Sequence, residues 1–573
     1  MKQTFRRRAV PGVHGLGSLL CALFSACGAQ PPDSTLDVNP LVAFEAGGDP
    51  FFAEQWYLKN TGQESFSSSQ GSAGEDIGLG SLHENGFLGA GVRVAVSDTG
   101  VDYTHEDLAD RMLNDEAKDY APPGAQTVNA GPELSFDAPS AAHGTAVAGL
   151  IAATGWNGFG TRGVAPLSSI VALRFIGVDV GLDDILDQAS GELDIYNYSY
   201  GFSTCEFSDM EPGLHTTLSE RAQNGRAGKG TIYVKAAGNE FQDDASNCTS
   251  SSSQSYTYYG NSNLDQMNTA PEVIVVGAIN AQGKKSSYSS PGSNLWISAP
   301  GGEYGESSPA ILTTDITGCR FGFSSSLSST FFDLGSYGNG ECNYTNTMNG
   351  TSSATPLVSG VIALMLEAEP QLSWREVKRI LALTARRVDA LAQDTSHPSA
   401  SLQLSGITYQ QGWVENAAGR YFHNYYGFGG VNAEAAVDMA RTFTPGSLGA
   451  TQSVTVTRAL AANIPDRSST GVSQTVTVAQ SLAIESVVIR VNITHTFASD
   501  LGIELVSPAG TRSILMNINS GIVDESLQNV RFLSNAFLDE NSSGTWTLRV
   551  IDGYLQDVGT LDSWSLEITG VAE

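Results

Sequence analysis

The chain has 573 residues, 41% of them hydrophobic and 16% charged, with 62 glycines, which excludes a disordered or fibrous protein and is more chain than one hydrophobic core organises. Sixty acidic residues against 30 basic ones give a formal charge of −30, a surface that repels nucleic acid and anionic lipid and so excludes nucleic acid as a partner.

In chain order, residues 1–27 read as an export signal: the basic start "MKQTFRRR", a short apolar stretch from Leu16 to Ala26, and small residues before Cys27. Phe24-Ser25-Ala26-Cys27 resembles a bacterial lipoprotein cleavage box, with Phe24 where leucine is usual. A lipid anchor at Cys27 and free secretion both stay open. No later segment is expected to be long and apolar enough to cross a bilayer. The remaining cysteines, Cys205, Cys248, Cys319 and Cys342, are even in number, and an exported chain is expected to close them as two disulfides.

Residues 28–48 are Pro- and Gly-containing and unpatterned, a tether. From 49 to about 444, short apolar runs alternate with helical stretches, which predicts an α/β domain with a parallel sheet flanked by helices. Strands are expected at 91–98, 168–176, 193–200, 230–238 and 272–280, a helix opening at "HGTAVAGLIAAT" (143–154), and another over 373–388, where Ser373 and Glu376 form a capping box. From 445 to 573, alternating runs such as "ESVVIRVNIT" and "GTWTLRVID" predict an all-β sandwich with Trp546 and Trp564 in its core.

Three residues stand where an α/β fold delivers side chains to the carboxyl edge of its sheet: Asp98 ends a strand, and His143 and Ser352 each open a helix. An alcohol is a poor nucleophile at neutral pH, so it needs an imidazole to take its proton and a carboxylate to orient that imidazole. Small neighbours such as Gly144, Gly350 and Ser353 leave room for a substrate backbone. Pro356 is expected early in its helix, where a missing amide hydrogen costs little.

The segments "VAVSDTGVD", "HGTAVAG", "AAGN" and "GTSSATP", in that order, resemble the four signatures of subtilisin-like serine proteases. "DPFFAEQWYL", "DIYNYSYG" and "YYGFGGVNAEAAVDMA" are similar to the kexin and furin branch, and "DLGIELVSPAGT", "GTWTLRVID" and "LDSWSLEITG" to the P domain of those proprotein convertases. The resemblance implies an extracellular serine endopeptidase acting on protein or peptide substrates, with a subtilisin-like domain followed by a P domain. It implies that Asp98, His143 and Ser352 form the triad, that Asn239 points its amide at the oxyanion, and that Ser199, Tyr200, Gly201, Ala237 and Gly238 bind the substrate backbone. It also implies a structural calcium ion on Asp49, Asp107 and Asn157 with loop carbonyls of Thr154, Phe159 and Thr161.

Specificity departs from the convertases, which cut after basic residues: Thr204 and Tyr259 stand near where pocket aspartates are expected, while Glu206, Asp209, Asp243 and Asp244 lie close enough to substitute. The cysteine pattern also departs, and supports pairing Cys205 with Cys248 and Cys319 with Cys342. Only about twenty residues separate Cys27 from Asp49, too few for the inhibitory prodomain usual in the family. A separate chaperone, or the P domain, is expected to assist folding instead. The alternative function is an inactive protease-like protein serving surface adhesion.

Overall fold

The computed structural model describes residues 48–134, 139–201, 210–211, 213–244, 257–396, 403–522 and 524–573. The export signal, the tether, Cys205 and Cys248 lie outside the described residues, as do Thr204, Glu206, Asp209 and the side chains of Asp243 and Asp244.

Five apolar runs together with two short edge strands build a seven-stranded sheet from β1 (Arg93–Asp98), β2 (Lys118–Asp119), β3 (Ser169–Arg174), β4 (Ile195–Tyr198), β5 (Ile232–Ala236), β6 (Val273–Ile279) and β7 (Ile297–Pro300), in the order β2-β3-β1-β4-β5-β6-β7. All neighbours are parallel. Every residue of β4 to β7 is buried, as a parallel sheet covered on both faces requires. The helices His143–Ala152, Thr351–Ala368, Trp374–Thr384 and Ala433–Thr442 share one core. Leu214 and Leu218 of Leu214–Gly228 cover the opposite face. Strand order reverses about β1, with β3 on one side and β4 on the other, so the crevice at the carboxyl end of β1 is where such a fold places a site.

Three expectations are corrected. The helix over 373–388 keeps its capping box (Glu376 N to Ser373 Oγ 3.3 Å, Ser373 N to Glu376 Oε2 2.8 Å) but stops at Thr384. Arg386 instead exchanges two 2.7 Å backbone hydrogen bonds with Gly430, and a residue pinned into a bridge cannot continue a helix. Thr351–Ala368 is long and apolar enough to span a membrane, contrary to the sequence reading, yet 89% of it is buried in the protein; it is a core helix. Pro356 is the sixth residue of that helix, too deep for a dispensable amide. Its missing N–H frees the carbonyl of Ser352, which accepts from Ser199 Oγ at 2.9 Å.

Beyond Thr442 the chain forms two antiparallel four-stranded sheets. Thr451–Ile464, Gly559–Ala572, Leu482–His495 and Leu527–Ser534 make one, and Ser468–Val478, Gly544–Asp552, Leu501–Val506 and Arg512–Met516 the other. Trp546 and Trp564 are 0% and 1% exposed between them. Salt bridges fasten this sandwich to the α/β domain: Arg375 to Glu485 at 2.5 Å, and Arg379 and Arg420 to Asp539 at 2.7 and 2.8 Å. Cys319 and Cys342 are disulfide-bonded, with Cα atoms 4.8 Å apart.

Candidate active site

Asp98 is the last residue of β1 and is fully buried. Its Oδ1 accepts from His143 Nδ1 at 2.8 Å and from the Thr99 amide at 2.7 Å. The Thr99 hydroxyl latches strand to helix, donating to Ala141 O (2.9 Å) and accepting from Gly144 N (3.0 Å). The approach is close because residue 144 has no side chain: a Cβ there would lie 2.3 Å from Gly100 O and 3.1 Å from Asp98 Cβ. With Nδ1 carrying the proton toward the carboxylate, Nε2 is the basic nitrogen, and no described residue hydrogen-bonds to it.

Ser352 is the second residue of Thr351–Ala368 and is 3% exposed. Its hydroxyl donates to Ser199 O at 2.9 Å rather than to the imidazole, while Ser199 Oγ donates to Ser352 O at the same distance. Ser199 is held in turn by Asn197 Nδ2 at 2.9 Å, and Asn197 Oδ1 accepts from Ser359 Oγ at 2.8 Å.

Asn239 follows β5. Its Oδ1 accepts from the amide and hydroxyl of Thr351 at 2.9 and 3.0 Å, which turns Nδ2 outward. A carbon at the Cβ position of Gly350 would lie 3.2 Å from Asn239 Nδ2 and 3.4 Å from Ser352 N. Two donors therefore border one small space, kept open because Gly350 lacks a side chain and sits at φ +99°. Gly350 N donates to Tyr288 OH at 2.8 Å. A negative oxygen beside these donors and the helix N-terminus would be stabilised.

Ser199, Tyr200 and Gly201 leave β4 beside Ser352; the Tyr200 ring is buried, and its hydroxyl accepts from Gln188 Nε2 at 2.9 Å. Burial holds that phenol well above its usual pKa. Gly201, Ala237 and Gly238 line a narrow pocket whose acidic side chains, among the described residues, are Glu240 and Asp265, and to which Ser520 of the sandwich also contributes. Sequence reasoning missed both acids. Asp265 lies in a segment without local motif and reaches the pocket through tertiary folding. Tyr259, near which an aspartate was expected, packs its ring on Phe241 and Tyr409.

The residues expected to bind calcium converge on the loop 154–162. Asp107 Oδ1 accepts from Asn157 Nδ2 (2.8 Å), its Oδ2 from Thr161 N (3.0 Å), and its carbonyl from Thr154 N (2.8 Å). Asn157 Oδ1 accepts from Phe159 N at 2.9 Å. Asp49 Oδ1 accepts from Trp156 N at 2.5 Å. An unexpected partner is Arg162, whose Nε lies 2.7 Å from Asp49 Oδ2 and whose guanidinium stacks on Trp156 and Phe52. Burial raises the pKa of both carboxyls; Arg162 opposes it at Asp49, and the Asn157 amide at Asp107. Among the described residues no three acidic, histidine or cysteine side chains gather as a metal cage.

A family model described as the subtilase family matches residues 89–429. The chain belongs to the subtilase family. Residues 484–568 match the proprotein convertase P-domain, so this subtilase carries a P domain behind its protease domain. Over 550 residues it is 37% identical to an extracellular serine protease of Aeromonas sobria, covering 88% of this chain and 84% of that protein. A crystal structure of the Aeromonas sobria serine protease in complex with a chaperone superposes with a TM-score of 0.83 at 33% identity, covering 92% of this chain and 96% of that one. Human proprotein convertase subtilisin/kexin type 4 is 28% identical over 544 residues, which span 92% of this chain and 61% of that protein. This subtilase is a serine endopeptidase.

Proposed function

We propose that this subtilase hydrolyses peptide bonds outside the cytoplasm with Ser352 as nucleophile, His143 as general base, Asp98 as orienting carboxylate and Asn239 as oxyanion donor. The supporting observation is the buried 2.8 Å pair of His143 and Asp98, which leaves Nε2 as the basic nitrogen. On substrate binding the Ser352 hydroxyl leaves the Ser199 carbonyl for Nε2, a tightening expected between free and bound enzymes. Its oxygen attacks the scissile carbonyl as His143 takes the proton, and Asp98 stabilises the imidazolium. Asn239 Nδ2 and Ser352 N hold the tetrahedral oxyanion. Collapse transfers the proton to the departing amine, and water repeats the sequence on the acyl-enzyme. Ser199 to Gly201 pair with the extended substrate as an added strand, with Ala237 and Gly238 opposite.

Glu240 and Asp265 in the adjoining pocket support a basic residue before the cut. A calcium ion on Asp49, Asp107 and Asn157 with the carbonyls of Thr154, Phe159 and Thr161 would have the mixed hard-oxygen set such an ion prefers, and would have to replace the Arg162 guanidinium at Asp49 and the Asn157 and Thr161 N–H donors at Asp107; bound there, it would brace the loop 154–162. Extracellular relatives support export, with lipidation at Cys27 as the anchored form, and the chaperone complex of the Aeromonas protease supports a separate folding partner. Four filled catalytic positions and protease relatives favour catalysis over adhesion. A fluorophosphonate probe should label the wild type and not Ser352→Ala; label retained in that variant, or absent from folded wild type, overturns the triad assignment.

A further inference from the structure

We propose that Lys235 sets the charge of the pocket that receives the residue before the scissile bond, by acting as an internal counter-ion to Asp265. The proposal rests on the endopeptidase reading above. Lys235 sits on β5 among Ile232, Tyr233, Val234 and Ala236, and is 0% exposed. A lysine in such a run is not a solvated face; its ammonium needs a partner inside the protein. That partner is Asp265, whose Oδ2 lies 2.5 Å from Lys235 Nζ and whose Oδ1 caps the amide of Met267 at 3.0 Å.

The pair lies directly behind the pocket wall. A Cβ on Gly201 would be 3.1 Å from Asp265 Oδ2 and 3.4 Å from Lys235 Nζ. Glu240, the other acid lining the pocket, is fixed by Ser290 Oγ at 2.9 Å. Of the two described acids, Asp265 thus holds a resident cation at its carboxylate. A lysine or arginine of the substrate is drawn by Glu240 but must share Asp265 with a resident ammonium, and like charges at close range in a poorly solvated pocket repel strongly. The pocket therefore accepts a basic side chain while discriminating only weakly against an uncharged one of the same length.

The test compares kcat/KM for two peptides that differ only in lysine or norleucine before the cut, since norleucine matches the length of lysine without its charge. Lys235→Met should raise the lysine-to-norleucine ratio about tenfold or more, because Asp265 is unmasked. Asp265→Asn, which strands the ammonium behind the wall, should lower it by a similar factor. The double variant should return the ratio close to that of the wild type, and together with Asp265→Asn it carries the test if Lys235→Met does not fold. Fluorophosphonate labelling confirms an intact site in each. A wild type that fails to label ends the endopeptidase reading. A wild type that labels and cleaves, with Lys235→Met or Asp265→Asn ratios within threefold of its own, overturns the Lys235 assignment alone.

Discussion

Asn239→Ala removes one of the two donors that border the space beside Gly350. Oδ1 takes the Thr351 amide and hydroxyl at 2.9 and 3.0 Å, and Nδ2 borders the space beside Gly350 where the proposed mechanism places the oxyanion. Loss of such a donor costs about 2.7–4 kcal/mol of transition-state stabilisation, a magnitude established on the corresponding asparagine of a subtilisin. At about 1.4 kcal/mol per decade, kcat should fall about 10²- to 10³-fold. KM should change little, because the ground-state carbonyl gains less from the donor than the anion does. The Thr351 amide also loses its acceptor, costing about 1–3 kcal/mol of stability. Asn239→Asp separates the two roles: it keeps the acceptor for Thr351, and hence the melting temperature, while placing a negative charge beside the developing oxyanion. Its kcat should be no higher than that of the alanine variant. Steady-state kinetics on a fluorogenic peptide, with thermal melts as the folding control, measure both. A folded Asn239→Ala enzyme with kcat within tenfold of the wild type would refute the reasoning.

Gly144→Ala places a carbon 2.3 Å from Gly100 O, a backbone atom that cannot step aside, so melting should drop by about 1–3 kcal/mol equivalent and kcat should fall as His143 moves off Asp98; unchanged values of both would show the contact to be slack. Burial lowers the pKa of His423 to about 3, so the unfolded chain binds a proton near pH 6.5 that the folded chain refuses, and this histidine's contribution to stability is full above 6.5 and falls on acidification by about 1.4 kcal/mol per pH unit until the folded value is reached. The melting temperature of His423→Phe relative to wild type should therefore rise as pH falls from 7 to 5. Chelation with EGTA should lower the melting temperature by several degrees in the wild type but not in Asp107→Asn, as expected when an ion binds only the folded state; equal responses would place any calcium elsewhere.

The amino-acid order by itself determined the class and most of the elements. Five of the seven strands from Arg93 to Pro300 were expected as short apolar runs, and the tail alternates in period two, so local chemistry sufficed to separate a parallel α/β domain from a β-sandwich, whereas the edge strands Lys118–Asp119 and Ile297–Pro300 carry too short a pattern to read. Asp98, His143 and Ser352 were legible because each stands at an element boundary amid small residues. Lys235 also left a signal, a charge inside a buried strand, but its meaning depends on Asp265, thirty positions away. Only the tertiary structure decided that Asp265 and Glu240 share a pocket, that Arg162 reaches Asp49, that Arg386 ends its helix by bridging to Gly430, and that the carbonyl freed by Pro356 is taken by Ser199. The reason is physical: periodicity and capping act within a few residues along the chain, whereas ion pairs and pocket walls form between segments whose separation carries no local preference and is fixed by how the layers pack.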